Sequence, residues 1–287
     1  MRILCFGKQG LLSSELQEWL PELRPKSLDF LSKDDCDITS AEDVSSAFAK
    51  FRPTHVINAA AFTKVDACED EAPMANLVNG FALEHIVNAC NQYGAILLHF
   101  STDYIFNGKK DGPYEEDDQP LPINAYGESK LIAEKAIRDR LVEHYIIRVQ
   151  WVYGPAKSNF IRTIIALAKE NGEVRVVNDQ FGSPTSTTSI SKAVVNLLLN
   201  KPAFGTYHFR TLKHTSWYDF AVYFINKCKI DSAVIPVSSA EFKTKAKRPK
   251  NGVLNIGKWI YSDLYTPPTW ENDVLNYLKK EKLIEEN

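Results

Sequence analysis

Tyr126 and Lys130 lie four residues apart in the run Asn124-Ala125-Tyr126-Gly127-Glu128-Ser129-Lys130. The run heads a segment with helical periodicity, so the two side chains share one helix face. That placement has a chemical use. Hydride delivered to a ketone carbon leaves negative charge on the oxygen, and a proton must follow. A phenol with a free pKa of about 10 donates poorly at neutral pH until a nearby ammonium stabilises its phenolate. Lys130 can supply that charge and also hold a nicotinamide ribose. Thr102, just after the strand-like run Ile96–Phe100, can hold the substrate oxygen. An isolated tyrosine–lysine pair of this spacing is mostly surface decoration. This pair follows a strand ending in Ser101-Thr102, in a chain that opens with a glycine turn.

The turn is Gly7-Lys8-Gln9-Gly10-Leu11-Leu12-Ser13, directly after the apolar run Arg2–Phe6. Gly7 allows a tight bend, and Gly10 lets the backbone approach a pyrophosphate that meets the N–H groups of the next helix. A third glycine would complete the usual dinucleotide pattern. Ser13 stands there instead, a small residue that close helix–strand packing should tolerate. After the second strand comes Ser32-Lys33 rather than an acid. An acid would bind both ribose hydroxyls of NAD, whereas Lys33 can neutralise a 2′-phosphate or stand as a solvated loop cation. Asp37 can accept from the adenine amine or belong to the cap of the following helix.

These residues need a frame to bring them together. Apolar strand candidates at Arg2–Phe6, Lys26–Leu31, His55–Asn58, Ile96–Phe100 and Tyr145–Val149 alternate with helical segments at Leu11–Leu20, Ala41–Phe51, Phe81–Tyr93 and Tyr126–Leu141. Continuous rather than alternating apolar strands imply a parallel sheet covered on both faces, the doubly wound α/β class. Ligands of that class bind at the carboxyl ends of the strands. Residues 1–154 are expected to form the dinucleotide-binding domain, with elements returning from about 174–200. Residues 155–287 are expected to form mainly a smaller substrate-binding lobe. Within the second half, helices are expected at Asn159–Glu170, Ser189–Asn200, Ser216–Lys227 and Glu271–Lys280, strands at Val174–Val177 and Thr206–Phe209, and a surface loop between Phe242 and Pro249.

The bulk numbers narrow the class of function. The chain has 287 residues, is 44% hydrophobic and 24% charged, and carries a net charge of −2. Nothing in that balance favours nucleic acid. Its five cysteines include no CxxC pair, which speaks against a zinc site or disulfide scaffold and for a reducing cytosol. No apolar run is long enough for a bilayer, and Arg2–Phe6 is too short for a signal peptide. A soluble, cytoplasmic protein is expected.

Taken together, the motifs resemble those of the extended short-chain dehydrogenase/reductases, and within them the dTDP-4-dehydrorhamnose reductases. They are Gly7-Lys8-Gln9-Gly10, Asn58-Ala59-Ala60-Ala61-Phe62-Thr63 with Val65-Asp66, Ser101-Thr102-Asp103-Tyr104-Ile105-Phe106 and Tyr126-Gly127-Glu128-Ser129-Lys130-Leu131. Arg148 with Trp151-Val152-Tyr153, Asn178-Asp179-Gln180-Phe181-Gly182-Ser183-Pro184-Thr185, Trp217-Tyr218 and Arg248-Pro249 follow. The resemblance implies reduction of the 4-keto group of a nucleotide-linked 6-deoxy sugar by NADPH, with NADH possible. It implies a catalytic triad of Thr102, Tyr126 and Lys130. It implies cofactor contacts at Gly7, Gly10, Asp37, Ile38, Ala59, Ala60, Ala61 and Lys130, and sugar contacts at Thr63, Val65, Tyr104 and Trp151. Structural readings stand beside these: core for Trp151, a strand-end cap for Thr63, a packed aromatic for Tyr104.

Two other functions compete. Sugar-nucleotide dehydratases and epimerases share the scaffold, and the dehydratases resemble Ser-Thr-Asp-Glu after the fourth strand. Tyr104 replaces the Glu here, which removes the base for abstraction beside the carbonyl. A regulatory subunit of a methionine adenosyltransferase also resembles these reductases, but the intact Thr102, Tyr126 and Lys130 weigh against a purely binding role. Some members of the resembled family dimerise through magnesium held by a first-helix glutamate and later acidic residues. Glu15 matches the first, while Thr187-Thr188-Ser189-Ile190-Ser191-Lys192 offers no carboxylate. No metal site and a monomer or metal-free homodimer are therefore expected.

Overall fold

Strands of the first half are unbroken apolar runs because both of their faces are covered. A computed structural model describes residues 1–155 and 158–285. In the first half β1 (Arg2–Phe6), α1 (Leu11–Trp19), β2 (Ser27–Leu31), α2 (Ala41–Phe51) and β3 (His55–Asn58) follow one another. Next come α3 (Val65–Asp70), α4 (Ala72–Ala75), α5 (Ala82–Tyr93), β4 (Ile96–Thr102), α6 (Ala125–Arg140) and β5 (His144–Val149). These strands lie wholly parallel in the order β2-β1-β3-β4-β5, and one more strand closes the β5 edge. Leu4, Val56, Leu97 and Ile146 pack under α2, α5 and α6, while Ile3, Ile57, Leu98 and Ile147 pack on the other face.

The second half departs and returns. It runs through β6 (Val152–Tyr153), α7 (Phe160–Asn171), β7 (Glu173–Val177), β8 (Phe181–Gly182), β9 (Thr185–Ser186), α8 (Thr187–Asn200) and β10 (Gly205–His208). It ends with β11 (Thr215–Ser216), α9 (Trp217–Lys227), β12 (Ala233–Val237), α10 (Gly257–Tyr261) and α11 (Trp270–Lys280). β10 is the edge strand that pairs with β5 in the central sheet, and α8 packs on α1 against one face of it. β7 pairs with β12 instead, and α7, α9 and α11 gather around them in a separate apolar cluster that includes Ile164, Phe220, Phe224 and Leu278.

Three features differ from the expectations. β4 runs on through Ser101 to Thr102, whose backbone pairs with Val149, so Thr102 is held by the sheet rather than by a loop. The segment ahead of the expected helix at Phe81–Tyr93 is itself helical, as α3, α4 and a π-helical stretch at Asn76–Phe81, where periodicity gives no signal. β12 and α10 also had no signal strong enough to stand out. No helix among the described residues is long and apolar enough to cross a membrane. All five cysteines are free thiols.

Candidate active site

The carboxyl ends of β1, β3, β4 and β5 open into one cavity of about 480 Å³. Thr102, Tyr126 and Lys130 line it together with Thr63, Val65, Tyr104 and Trp151. A shallower hollow of about 240 Å³ carries Gly7, Lys33, Asp37 and Ile38, and it shares Gly10 and Ala59–Ala61 with the first. Every site residue expected from the sequence therefore borders this one continuous cleft.

The cleft suits a dinucleotide at its β1 end. Gly7 has φ +92°, and a Cβ there would sit 2.6 Å from the backbone nitrogen of Ala60, so only glycine fits both the turn and the neighbouring loop. Gly10 is the N-cap of α1 and makes no side-chain cap, so the helix start is bare backbone facing the hollow, an arrangement suited to phosphate oxygens. Ser13 is fully buried at the position of the third glycine, so its small volume suffices. Lys33 is 78% exposed and 3.7 Å from Asp37. Asp37 Oδ1 accepts from the backbone and hydroxyl of Thr39 at 2.9 and 2.8 Å. The N-cap of α2 is Ser40, which accepts from Asp43 N, and Asp37 joins that cap only through its backbone N–H, which donates to Asp43 Oδ2 at 3.0 Å.

Chemistry concentrates at the β4 end. Tyr126 enters at the first turn of α6, which Asn124 caps by accepting from Gly127 N at 2.8 Å. Its ring meets Tyr104 edge to face at 6.0 Å, so Tyr104 both packs and lines the cavity. The hydroxyl sits in a poorly solvated corner, and that burial raises its pKa, with Asp103, Cys68 and Tyr104 adding to the rise and a hydrogen bond with Thr102 opposing it. Lys130 does not assist the phenol here. Its Nζ lies 3.1 Å from Nε2 of the buried His99. The expectation that Lys130 lowers the Tyr126 pKa therefore does not describe this state; Tyr126 is held firmly as a phenol.

Asp103 is a member of the site that sequence reasoning passed over. It is 2% exposed, lines the cavity, and accepts from Thr102 Oγ1 at 3.2 Å through Oδ1, while Oδ2 has no protein partner. Burial pushes its carboxyl up to about 7. Trp151 carries the largest qualification. Its backbone is left-handed at φ +46°, and its indole stacks on Trp217 at 3.6 Å with planes 10° apart. One face is thus covered by a second tryptophan, which also lines the cavity. Arg248 holds Asp66 through contacts of 3.2 and 2.9 Å, fastening the loop after Phe242 to the start of α3. Spacing alone could not reveal the pairs Trp151–Trp217 and Asp66–Arg248, because their members lie far apart in the chain.

Comparisons with known proteins agree with this geometry. A family model described as the RmlD substrate binding domain matches residues 1–283. The dTDP-4-dehydrorhamnose reductase of Escherichia coli (strain K12) is 37% identical over 294 residues, covering 98% of each chain. Of the solved structures, a dTDP-4-dehydrorhamnose reductase from Clostridium acetobutylicum superposes with a TM-score of 0.94 at 34% identity, over 98% of this chain and 100% of that one. One from Bacillus anthracis, in complex with NADP, gives 0.93 at 33% identity, over 97% and 99%.

Proposed function

From its membership of the dTDP-4-dehydrorhamnose reductase family, we propose that this chain reduces the 4-keto group of a nucleotide-linked 6-deoxy sugar, with Tyr126 as the proton donor. It is an NADPH-dependent oxidoreductase of that family. The observation that carries the site assignment is the convergence of Thr102, Tyr126 and Lys130 on one cavity that continues into the glycine-turn hollow.

Bound NADPH supplies the hydride. Gly7, Gly10 and Ala59–Ala61 shape its bed, with Ile38 and Asp37 at the adenine side and Lys33 against the 2′-phosphate. Thr102, fixed by the sheet, donates to the ketone oxygen and orients it. Tyr126 gives its proton to that oxygen as charge develops there. Lys130 then stands one helical turn away to stabilise the phenolate, which regains its proton from solvent. Thr63, Val65 and Tyr104 enclose the sugar, and Trp151 borders it. The smaller lobe, carried on α7, α9 and α11, takes the nucleotide end. Arg175 and Arg248 line a further hollow of about 220 Å³ beside Trp217, where Arg175 suits a diphosphate and Arg248 stays paired with Asp66. The oligomeric state we propose is a monomer or a homodimer without a bridging metal.

Dehydration on this scaffold is disfavoured by Tyr104, which stands in the sequence where the dehydratases carry their carboxylate base. A purely regulatory role is tested by steady NADPH consumption with a keto-sugar nucleotide. The decisive measurement is single-turnover NADPH oxidation with a 4-keto-6-deoxy sugar nucleotide, wild type against Tyr126→Phe. The variant keeps the ring and loses the acid, so the rate should fall by about 10²–10⁴, in kcat more than in KM. Retention of more than about a tenth of the wild-type rate would remove Tyr126 from the role of donor.

A further inference from the structure

Lys130 is 3% exposed, and its Nζ meets Nε2 of His99, which is wholly buried on β4. The second ring nitrogen of His99, Nδ1, lies 3.2 Å from the side-chain amide nitrogen of Asn58, at the end of β3. Asn58 does not turn its oxygen to the ring, because Oδ1 accepts the backbone N–H of Ala60 at 3.1 Å. An amide nitrogen is only a donor, so Nδ1 must accept. A neutral imidazole then carries its proton on Nε2, pointing at Lys130. An ammonium has three donors and no acceptor, so ammonium against that N–H would set donor against donor. A neutral amine has a lone pair and completes the bond. An imidazolium offers no way out, since it would aim a proton at the Asn58 amide. Burial holds His99 well below its ordinary range, which keeps the ring neutral.

We infer that His99, fixed by Asn58 as its Nε2–H tautomer, is a positioning residue that keeps Lys130 a neutral amine in the free protein, and that cofactor binding draws one proton from solvent onto Lys130. The charged surroundings support this. On α6, Glu134 faces Lys130 one turn on, but Arg148 on β5 already holds both of its oxygens at 2.9 and 2.7 Å, and Arg138 lies 3.3 Å from it. Tyr126, one turn before, is held as a phenol, and Asp103, at the end of β4, is pushed toward its neutral acid. Burial, against the opposing pull of Glu134, brings Lys130 down to about 8, and a facing N–H of His99 acts in the same direction as burial. The proton balance is simple: the amine gains one proton from the buffer, His99 keeps its own, and no bond of the cofactor changes. The ammonium so formed is the cation that the phenolate of Tyr126 requires, so the charge appears only in the loaded cleft.

The proposal rests on Lys130 belonging to the cofactor site, but its first test needs neither ligand nor turnover. Full-length protein with ¹⁵N-labelled histidine is studied without cofactor by long-range ¹⁵N–¹H correlation, which reads which ring nitrogen bears the proton. The His99 signal is the one lost in His99→Gln. Nε2–H at neutral pH is expected; Nδ1–H overturns the inference whatever the substrate proves to be. The second test is calorimetric titration with NADPH in two buffers of different ionisation enthalpy, at mildly alkaline pH, above the phosphate range. Wild type should take up a proton. In Asn58→Asp a carboxylate can still accept from Ala60 N–H and also accepts from Nδ1–H, which moves the imidazole proton away from Lys130. Uptake should then fall by more than half. Equal uptake in the two proteins overturns the inference, and if Asn58→Asp does not fold, the wild-type tautomer decides alone.

Discussion

Asp103 shows how one buried atom can set a pH response. Its ordinary pKa of 3.8 rises to about 7 because the carboxyl is buried, with one oxygen on Thr102 and the other unpartnered. The native state therefore binds a proton that the unfolded chain has released, so stability should fall as pH rises from about 4 to about 7. Ionised Asp103 also raises the Tyr126 pKa and makes the phenol a weaker acid. We expect the wild-type single-turnover rate to decline as pH climbs through about 7, and Asp103→Asn to flatten that decline while melting higher than wild type above neutrality. An unchanged decline in Asp103→Asn would place its origin elsewhere. Lys33 works by simpler electrostatics. Lys33→Glu should raise the KM for NADPH far more than that for NADH, since only NADPH carries the 2′-phosphate. Equal effects on both would remove Lys33 from that contact.

At the scale of elements, α1 and α11 are joined where a bridging metal was weighed. Glu15 is fully buried on α1, yet its oxygens are satisfied: Lys280 Nζ from α11 at 2.7 Å and Thr188 Oγ1 from α8 at 2.7 Å. Lys280 also reaches Glu18 at 3.1 Å. An ammonium of the same molecule thus meets the carboxylate that a shared ion would need. Sedimentation should be indifferent to magnesium and to chelator; a chelator-sensitive shift would contradict this. Lys280→Met should destabilise the fold by less than the about 3–5 kcal/mol of a fully buried pair, because Lys280 is 43% exposed, and chemical denaturation measures it. The π-helical stretch has its own task. Asn79 brackets Phe62 through N–H···O and N–H···O=C bonds of 2.7 and 2.9 Å and donates to Ser129 at 3.0 Å. It pins the loop that follows Ala59–Ala61 to α6, the helix of Tyr126 and Lys130.

Across the whole molecule, the sequence is most readable where structure is periodic. The parallel strands betray themselves by continuous apolar runs, and β1, α2 and β3 begin and end where the pattern says they should. The helical run at 65–81 was hidden by Pro73 and by Asn79-Gly80, which read locally as turn formers while tertiary contacts hold them in a helix. The cleft residues were legible because they cluster at strand ends, as the fold class demands. His99 and Asn58 were not, because each lies among ordinary strand residues and acquires meaning only from partners on other elements, and Asp103 was not, because its burial depends on the folded cleft. β7 reads as a plain strand in either lobe, and only its partner β12 shows which sheet it joins.

The tryptophan stack makes the cleft optically visible. Two indoles stacked 3.6 Å apart with nearly parallel planes are expected to quench one another, and both border the cavity, whereas Trp259 and Trp270 lie in the core and Trp19 packs against it away from the cavity. A sugar nucleotide entering beside Trp151 changes the polarity at that pair and leaves the core indoles as a constant background. Intrinsic emission should then report occupancy without label or turnover, and Trp217→Phe should brighten Trp151 and alter the response. An emission change on substrate addition that survives unaltered in both Trp217→Phe and Trp151→Phe would mean that the signal arises away from the cleft.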